Sequence, residues 1–311
     1  MLAFVSRTGE TKRNMAGLLL QGVFTALVTP FDEDQGVVDM AAFEALCERQ
    51  LAAGISGLVP CGTTGETPTL SGDEQLELIR CSVKVAAGKV PVLAGTGSND
   101  TRKTLRDSEA ALKAGADGVM LVMPYYSKPS QAGLVHHVES VAGAVGCPVV
   151  LYNIPGRSAV ELSVPSILTL LDRCPNVVGV KDATGNVLAC QALLAKAGDR
   201  VQVMSGDDAL SLPMLSVGAR GLISVSSNAL PGRVVAVVAA ALAGDWQRAR
   251  ELHLALLDFH AVMFAEPNPA PVKAALQLLG LGNASLRAPL LPATAAVHDQ
   301  LRGLLAELGE L

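Results

Sequence analysis

Val177-Val178-Gly179-Val180-Lys181-Asp182-Ala183-Thr184-Gly185 begins as an unbroken apolar run and ends on charge and a glycine turn. A strand covered on both faces reads this way, without the polar alternation of a half-exposed strand. The same shape recurs along the chain. Residues 23–28, 57–60, 90–94, 118–123, 148–152, 177–181, 201–204 and 221–225 are apolar runs flanked by Gly, Pro or polar turns, starting roughly 20 to 34 residues apart. Helix-like stretches lie between them, among them 40–53, 72–87, 101–114 and 131–144. Asp39 stands just ahead of the first, and Asp73 and Glu74 fall in the opening turn of the second. Carboxylates there cap orphan amides and meet the positive end of a helix. Eight alternating units predict a (β/α)8 TIM barrel, an α/β fold, rather than an open doubly wound sheet.

A barrel takes about 250 residues, and this chain has 311. The surplus lies at the end, in Ala- and Leu-rich stretches at 234–242, 246–259, 271–279 and 294–308, broken by Glu266-Pro-Asn-Pro-Ala-Pro271. Residues 1–15 read as a disordered extension, with Met15 an alternative start, residues 16–240 as the barrel and residues 241–311 as a C-terminal helical subdomain.

Composition excludes several classes. With 50% hydrophobic and 17% charged residues, the chain has ample apolar surface to bury, which excludes disorder. Its most apolar run, 234–243, covers only half of the ~20 residues a bilayer needs, so no membrane role is expected. A net charge of −5 provides no basic field for nucleic acid. So little charge fits surface buried between subunits, and equally a large monomer core. The six cysteines, Cys47, Cys61, Cys81, Cys147, Cys174 and Cys190, include no C-x-x-C pair, which fits a reducing compartment. Gly95-x-Gly97 lacks the third glycine of a dinucleotide fingerprint, no Gly-x-Ser-x-Gly elbow is present, and adjacent His136 and His137 cannot share a helix face as metal ligands. His253 and His260 read as ordinary helix residues.

In such barrels the chemistry sits at the C-terminal ends of the strands. Here those ends carry Gly62-Thr-Thr-Gly-Glu66, Pro124-Tyr-Tyr126, Tyr152-Asn-Ile-Pro-Gly-Arg157, Lys181-Asp-Ala-Thr-Gly185 and Ser205-Gly-Asp-Asp208. Lys181 leaves the end of a buried strand. Taking an ammonium out of water favours the neutral amine, which attacks carbonyls and forms a Schiff base. The plainer alternative is a lysine paired with a barrel carboxylate such as Asp207. All three tyrosines of the chain, Tyr125, Tyr126 and Tyr152, fall at these ends, suited to proton relay or simply to packing at the mouth. Arg157 suits a carboxylate bidentately, unless it is an ordinary surface arginine. Thr63 offers a bridging hydroxyl, or stabilises its turn. Gly62, Gly65 and Gly206 let backbone amides approach an anion closely.

These motifs, with Gly221-Leu-Ile-Ser-Val225, resemble in order and spacing the 4-hydroxy-tetrahydrodipicolinate synthases, also called dihydrodipicolinate synthases, from about Gly22 to the end of the chain. The resemblance implies condensation of pyruvate with L-aspartate 4-semialdehyde on the way to diaminopimelate and lysine. It implies that Lys181 forms the Schiff base and that Tyr152 donates and accepts the proton. Thr63 and Tyr126 would complete a relay, with Tyr126 reaching into a neighbouring subunit. Thr64 would hold the pyruvate carboxylate, the Ile223 backbone would contact pyruvate, Gly206 would line the pocket, and Arg157 would guide the semialdehyde carboxylate. The resemblance also implies a cytoplasmic homotetramer, a dimer of dimers, needing no metal or organic cofactor.

N-acetylneuraminate lyases share the fold and the lysine but usually carry Ser where Thr63 stands and lack an arginine after the Tyr-Asn-Ile-Pro segment. Related 2-keto-acid aldolases and dehydratases differ less. A non-reacting sugar-acid sensor on the same scaffold is disfavoured by the intact set of Lys181, Tyr152, Thr63 and Tyr126. Lysine-inhibited members use a His, an Asn, a Glu and the first Tyr of the Tyr-Tyr pair to bind lysine. Asn99 and Tyr125 are present here, but Gly72 and Lys103 occupy the His and Glu positions. An ammonium in place of a carboxylate repels a cationic effector, so feedback by lysine is expected to be weak or absent.

Overall fold

The computed structural model describes residues 18–32 and 36–311. The expectation for residues 1–15 therefore lies outside the described residues. Eight strands, β1 (Gly22–Ala26), β2 (Gly57–Val59), β3 (Leu93–Gly95), β4 (Gly118–Val122), β5 (Val149–Asn153), β6 (Val177–Asp182), β7 (Gln202–Ser205) and β8 (Gly221–Ser224), pair in parallel in the order β2-β1-β8-β7-β6-β5-β4-β3. The ring closes where a parallel bridge joins Leu58 to Val92, reinforced by Gly95 N donating to Pro60 O at 3.0 Å. All eight expected strands are present. Three start later than the sequence suggests: β7 by one residue, and β3 and β5 after Pro91 and Pro148, because proline brings no N–H to a ladder.

The strands are covered by α1 (Met40–Ala52), α2 (Gly72–Ala86), α3 (Thr101–Lys113), α4 (Gln131–Ala142), the single turn α5 (Pro155–Ser158), α6 (Val164–Arg173), α7 (Val187–Ala197), α8 (Ser211–Ser216) and α9 (Pro231–Leu242). Caps set their starts. Asp39 accepts from Ala42 N at 2.9 Å. Ser71 and Glu74 close a reciprocal capping box at the start of α2, satisfying two orphan donors at once. Three more helices follow, α10 (Trp246–Val262), α11 (Ala270–Leu278) and α12 (Ala295–Glu307). Leu256 and Phe259 of α10 and Val297, Leu301 and Leu305 of α12 join the same apolar cluster as Phe43 of α1 and Val234 of α9. The C-terminal helices thus share the core of the first barrel units.

Inside the barrel, Phe24, Val59, Met120, Val150, Met204 and Ile223 form a separate apolar core with Tyr152. Leu20 plugs its lower end, where Gln202 Nε2 donates to Leu18 O at 3.1 Å and its Oε1 accepts from Leu20 N at 2.9 Å. A Cβ on Gly179 would lie 2.3 Å from Leu20 Cδ1, so only glycine fits above this plug. The six cysteines are all buried and free. Among the described residues, no helix is long and apolar enough to cross a membrane, and no group of three or more His, Cys, Asp or Glu is placed to hold a metal ion.

Candidate active site

Tyr152 and Lys181 are register partners on β5 and β6, and partners across a parallel pair project to the same face. Val180 packs outward against the helices, so Gly179 and Lys181 face the barrel interior. Lys181 is 4% exposed, and its Nζ lies 4.3 Å from the centroid of the Tyr152 ring. That nitrogen has no carboxylate or hydrogen-bond partner among the described residues. The ion pair with Asp207 does not form. Asp207 accepts instead from Ala209 N at 2.9 Å, and burial, with Asp208 adjacent, raises its pKa. Gly206 makes room for the lysine: a Cβ there would sit 2.8 Å from Ala183 Cβ and 3.2 Å from Lys181 Cε.

A cavity of about 360 Å³ opens beside this pair, with Thr63, Tyr125, Tyr152, Ile154, Arg157 and Lys103 on its wall. Arg157 rides on α5, and Asn153 anchors the loop that carries it. The Asn153 amide donates to Leu162 O and accepts from Leu162 N, both at 2.9 Å. The exposed Arg157 guanidinium has no partner among the described residues, which leaves its fork free for an anion. Lys103 and Asp107, one helical turn apart on α3, pair at 2.5 Å on the same wall.

The structure thus places Tyr152, Thr63 and Arg157 on the cavity wall, with Lys181 against the Tyr152 ring and Gly206 against Lys181, both off that wall. Thr64 and Ile223 are buried and not on the cavity wall. Tyr126 does not join its own chain's site. It is 90% exposed, with φ at +71°. A bulky residue in the left-handed region costs about 1–3 kcal/mol, and such strain clusters at functional positions.

Sequence reasoning missed a charged cluster behind the Thr63-Thr64 turn. Glu66, which ends that turn at φ +56°, is completely buried and accepts from Lys273 Nζ of α11 at 2.5 Å. It also accepts from Arg287 N at 3.1 Å. Lys273 donates to Ser285 O at 2.7 Å and lies 4.3 Å from the Phe31 ring. Burial pulls its pKa from 10.5 down to about 8, against the opposing pull of Glu66. Arg287 grips Glu74 with two bonds, at 2.9 and 2.5 Å, and this holds the Glu74 carboxyl at about 2 instead of 4.5. Asn268, between α10 and α11, donates from Nδ2 to Thr64 Oγ1 at 3.0 Å. One signal was available: Lys273 is a lone cation in Ala270-Pro-Val-Lys-Ala-Ala-Leu276, and an unpaired charge is not buried in such a helix.

His253 and His260 lie in a C-terminal helix, α10, as the sequence suggests, and both are buried. His260 Nδ1 hydrogen-bonds Ser226 Oγ at 2.9 Å, next to Asp208, whose carboxylate accepts from Ser224 Oγ and Val225 N. That network joins the ends of β7 and β8.

Known proteins share this chain's sequence and fold over most of its length. The profile of the dihydrodipicolinate synthetase family matches residues 19–308. A 4-hydroxy-tetrahydrodipicolinate synthase from Sorangium cellulosum (strain So ce56) is 55% identical over 294 residues, 94% of this chain and 98% of its own length. The dihydrodipicolinate synthase of Aquifex aeolicus superposes with a TM-score of 0.90 at 42% identity, covering 93% of this chain and 98% of that one. The chloride-inhibited dihydrodipicolinate synthase of Acinetobacter baumannii, solved with pyruvate, superposes with a TM-score of 0.92 at 40% identity, covering 94% and 100%. With its eight-stranded barrel, its rim lysine and this similarity over nearly its whole length, the chain belongs to the dihydrodipicolinate synthetase family.

Proposed function

We propose that this protein is a carbon–oxygen lyase that condenses pyruvate with L-aspartate 4-semialdehyde to give 4-hydroxy-tetrahydrodipicolinate, in the diaminopimelate route to lysine. The observation that carries this reading is Lys181: an amine at the end of an inward-facing strand, free of any acid, 4.3 Å from a phenol ring. The Lys181 amine adds to the pyruvate ketone and expels water, leaving an imine. The imine withdraws electrons from the adjacent methyl, which loses a proton and becomes an enamine nucleophile. Tyr152 is the group in contact with the lysine and takes and returns these protons. The enamine carbon attacks the aldehyde of the second substrate. The amine of that substrate then displaces Lys181 from the former ketone carbon, closing the ring and freeing the enzyme.

Thr64 holds the pyruvate carboxylate, the Ile223 backbone contacts pyruvate, and Gly206 keeps the wall beside the lysine open. The free guanidinium of Arg157 receives the semialdehyde carboxylate. Thr63 continues the relay from Tyr152. Its third member, Tyr126, comes from a neighbouring subunit, a reading supported by the strained backbone that turns this side chain out to 90% exposure. A cytoplasmic homotetramer, a dimer of dimers, is the assembly that supplies it. The imine supplies the electron sink, so the steps call on no metal and no organic cofactor.

Feedback by lysine is weak. Lys103 brings an ammonium to the cavity wall, and the Asp107 carboxylate beside it is already paired to that ammonium.

Turnover with a panel of aldehydes tests the function. Pyruvate consumption that needs aspartate semialdehyde, with little activity on sugar aldehydes, is expected. Preference for a sugar-derived aldehyde, or for cleaving a 2-keto sugar acid, would make the protein one of the related 2-keto-acid aldolases instead.

A further inference from the structure

Thr64 is 2% exposed and Asn268 5%, so the bond between them is shielded from water. A threonine hydroxyl has one proton and two lone pairs. With Asn268 Nδ2 donating to Oγ1 at 3.0 Å, one lone pair is occupied and the proton must point elsewhere. A substrate carboxylate only accepts hydrogen bonds, so it needs that hydroxyl as a donor. We infer that Asn268 is a positioning residue for pyruvate: it fixes the Thr64 hydroxyl as a donor to the substrate carboxylate. The inference rests on the reading of Thr64 as the group that holds this carboxylate.

Two observations separate this role from simple support of the loop. First, the turn is already held by other groups. Thr29 Oγ1 donates to Gly65 O at 2.7 Å, and Glu66 receives Lys273 Nζ and Arg287 N. Second, the Asn268 Oδ1 atom is buried without a partner among the described residues. A half-satisfied buried amide is unfavourable, and the bond to Thr64 is the one contact that accounts for it.

The test is steady-state kinetics of Asn268→Ala and Asn268→Asp, each alone and combined with Thr64→Val. Asn268→Ala should raise the KM for pyruvate about tenfold and leave the KM for aspartate semialdehyde within about twofold. Added to Thr64→Val, it should cause no further rise, because it acts only through that hydroxyl. Asn268→Asp, equal in shape, places an acceptor and a negative charge where the donor stood. Its pyruvate KM should rise further and recover as the pH falls and the carboxyl gains a proton it can donate. Should Asn268→Ala fail to fold, the isosteric Asn268→Asp decides alone. A full additional effect in the Thr64→Val background would overturn the inference. So would equal rises in both KM values, or an Asn268→Asp enzyme with an unchanged pyruvate KM. An unchanged pyruvate KM in Thr64→Val alone would remove the Thr64 assignment and this inference together, while leaving the Lys181 Schiff base untouched.

Discussion

Lys181 and Lys273 sit in the same molecule under nearly the same conditions. Both are buried, at 4% and 2% exposure. Both place Nζ 4.3 Å from an aromatic centroid, Tyr152 for one and Phe31 for the other. They differ in what else touches the nitrogen. Lys273 is held by the Glu66 carboxylate and the Ser285 carbonyl, whereas Lys181 has no acceptor among the described residues. Burial and an aromatic neighbour therefore do not tell the two apart; the missing counter-charge does, and the proposed nucleophilic role of Lys181 rests on it. In the proposed reading the clamped lysine serves the free one, because Glu66 ends the turn that carries Thr63 and Thr64.

Substitutions at the two lysines should break this comparison in opposite ways. Lys181→Met should abolish turnover while thermal unfolding shows an intact fold, since no ion pair is lost. Substantial activity in Lys181→Met would reassign the nucleophile. Lys273→Met leaves the buried Glu66 carboxylate without its counter-charge, with the Arg287 N–H as its remaining donor, which costs about 3–5 kcal/mol. Denaturant unfolding should show that loss, and adding Glu66→Gln should recover part of it. A neutral Lys273→Met would mean that the clamp contributes nothing to stability.

Arg157→Ala sharpens the comparison at the free end of the site. The guanidinium meets only the second substrate in this reading. Loss of a hydrogen bond to a charged group, about 1.5–3 kcal/mol, should raise the KM for aspartate semialdehyde about 10- to 100-fold. Schiff-base formation with pyruvate should stay unchanged, and an equal effect on both would refute the assignment.

At the clamped end, Glu74 has its folded pKa depressed to about 2 from 4.5 by the Arg287 grip. Such a carboxyl contributes stability that is fully present above pH 4.5 and is lost as the pH falls towards 2. Glu74→Gln should lower stability at neutral pH and flatten its pH dependence in that window. An unchanged acid limb would show that the grip does not hold. The smallest effect concerns regulation. Wild-type enzyme should lack half-inhibition at low millimolar lysine. Lys103→Glu with Gly72→His should gain some sensitivity, since nothing lies within 4 Å of a Cβ built at Gly72. Potent inhibition of the wild type would overturn that expectation.

Lys181 was legible in the sequence because its signal is local: a charge at the end of an apolar run, on a strand whose place follows from the repeating pattern. The eight strands were legible for the same reason, and Pro91 and Pro148 displaced only their edges. Lys273 and Glu66 were not legible as a pair, because 207 residues separate them and no periodicity links an α11 position to a turn after β2. Asn268 was hidden in a proline-rich break that reads as an interruption. The outward turn of Tyr126 depends on a single backbone angle, which the Tyr-Tyr spelling does not encode.

Borohydride reduction in the presence of pyruvate, followed by peptide mapping, tests the central claim most directly. One reduced adduct per chain, on the peptide bearing Lys181 and absent from the peptide bearing Lys273, is the predicted result. An adduct on Lys273, or none on folded protein, would contradict it.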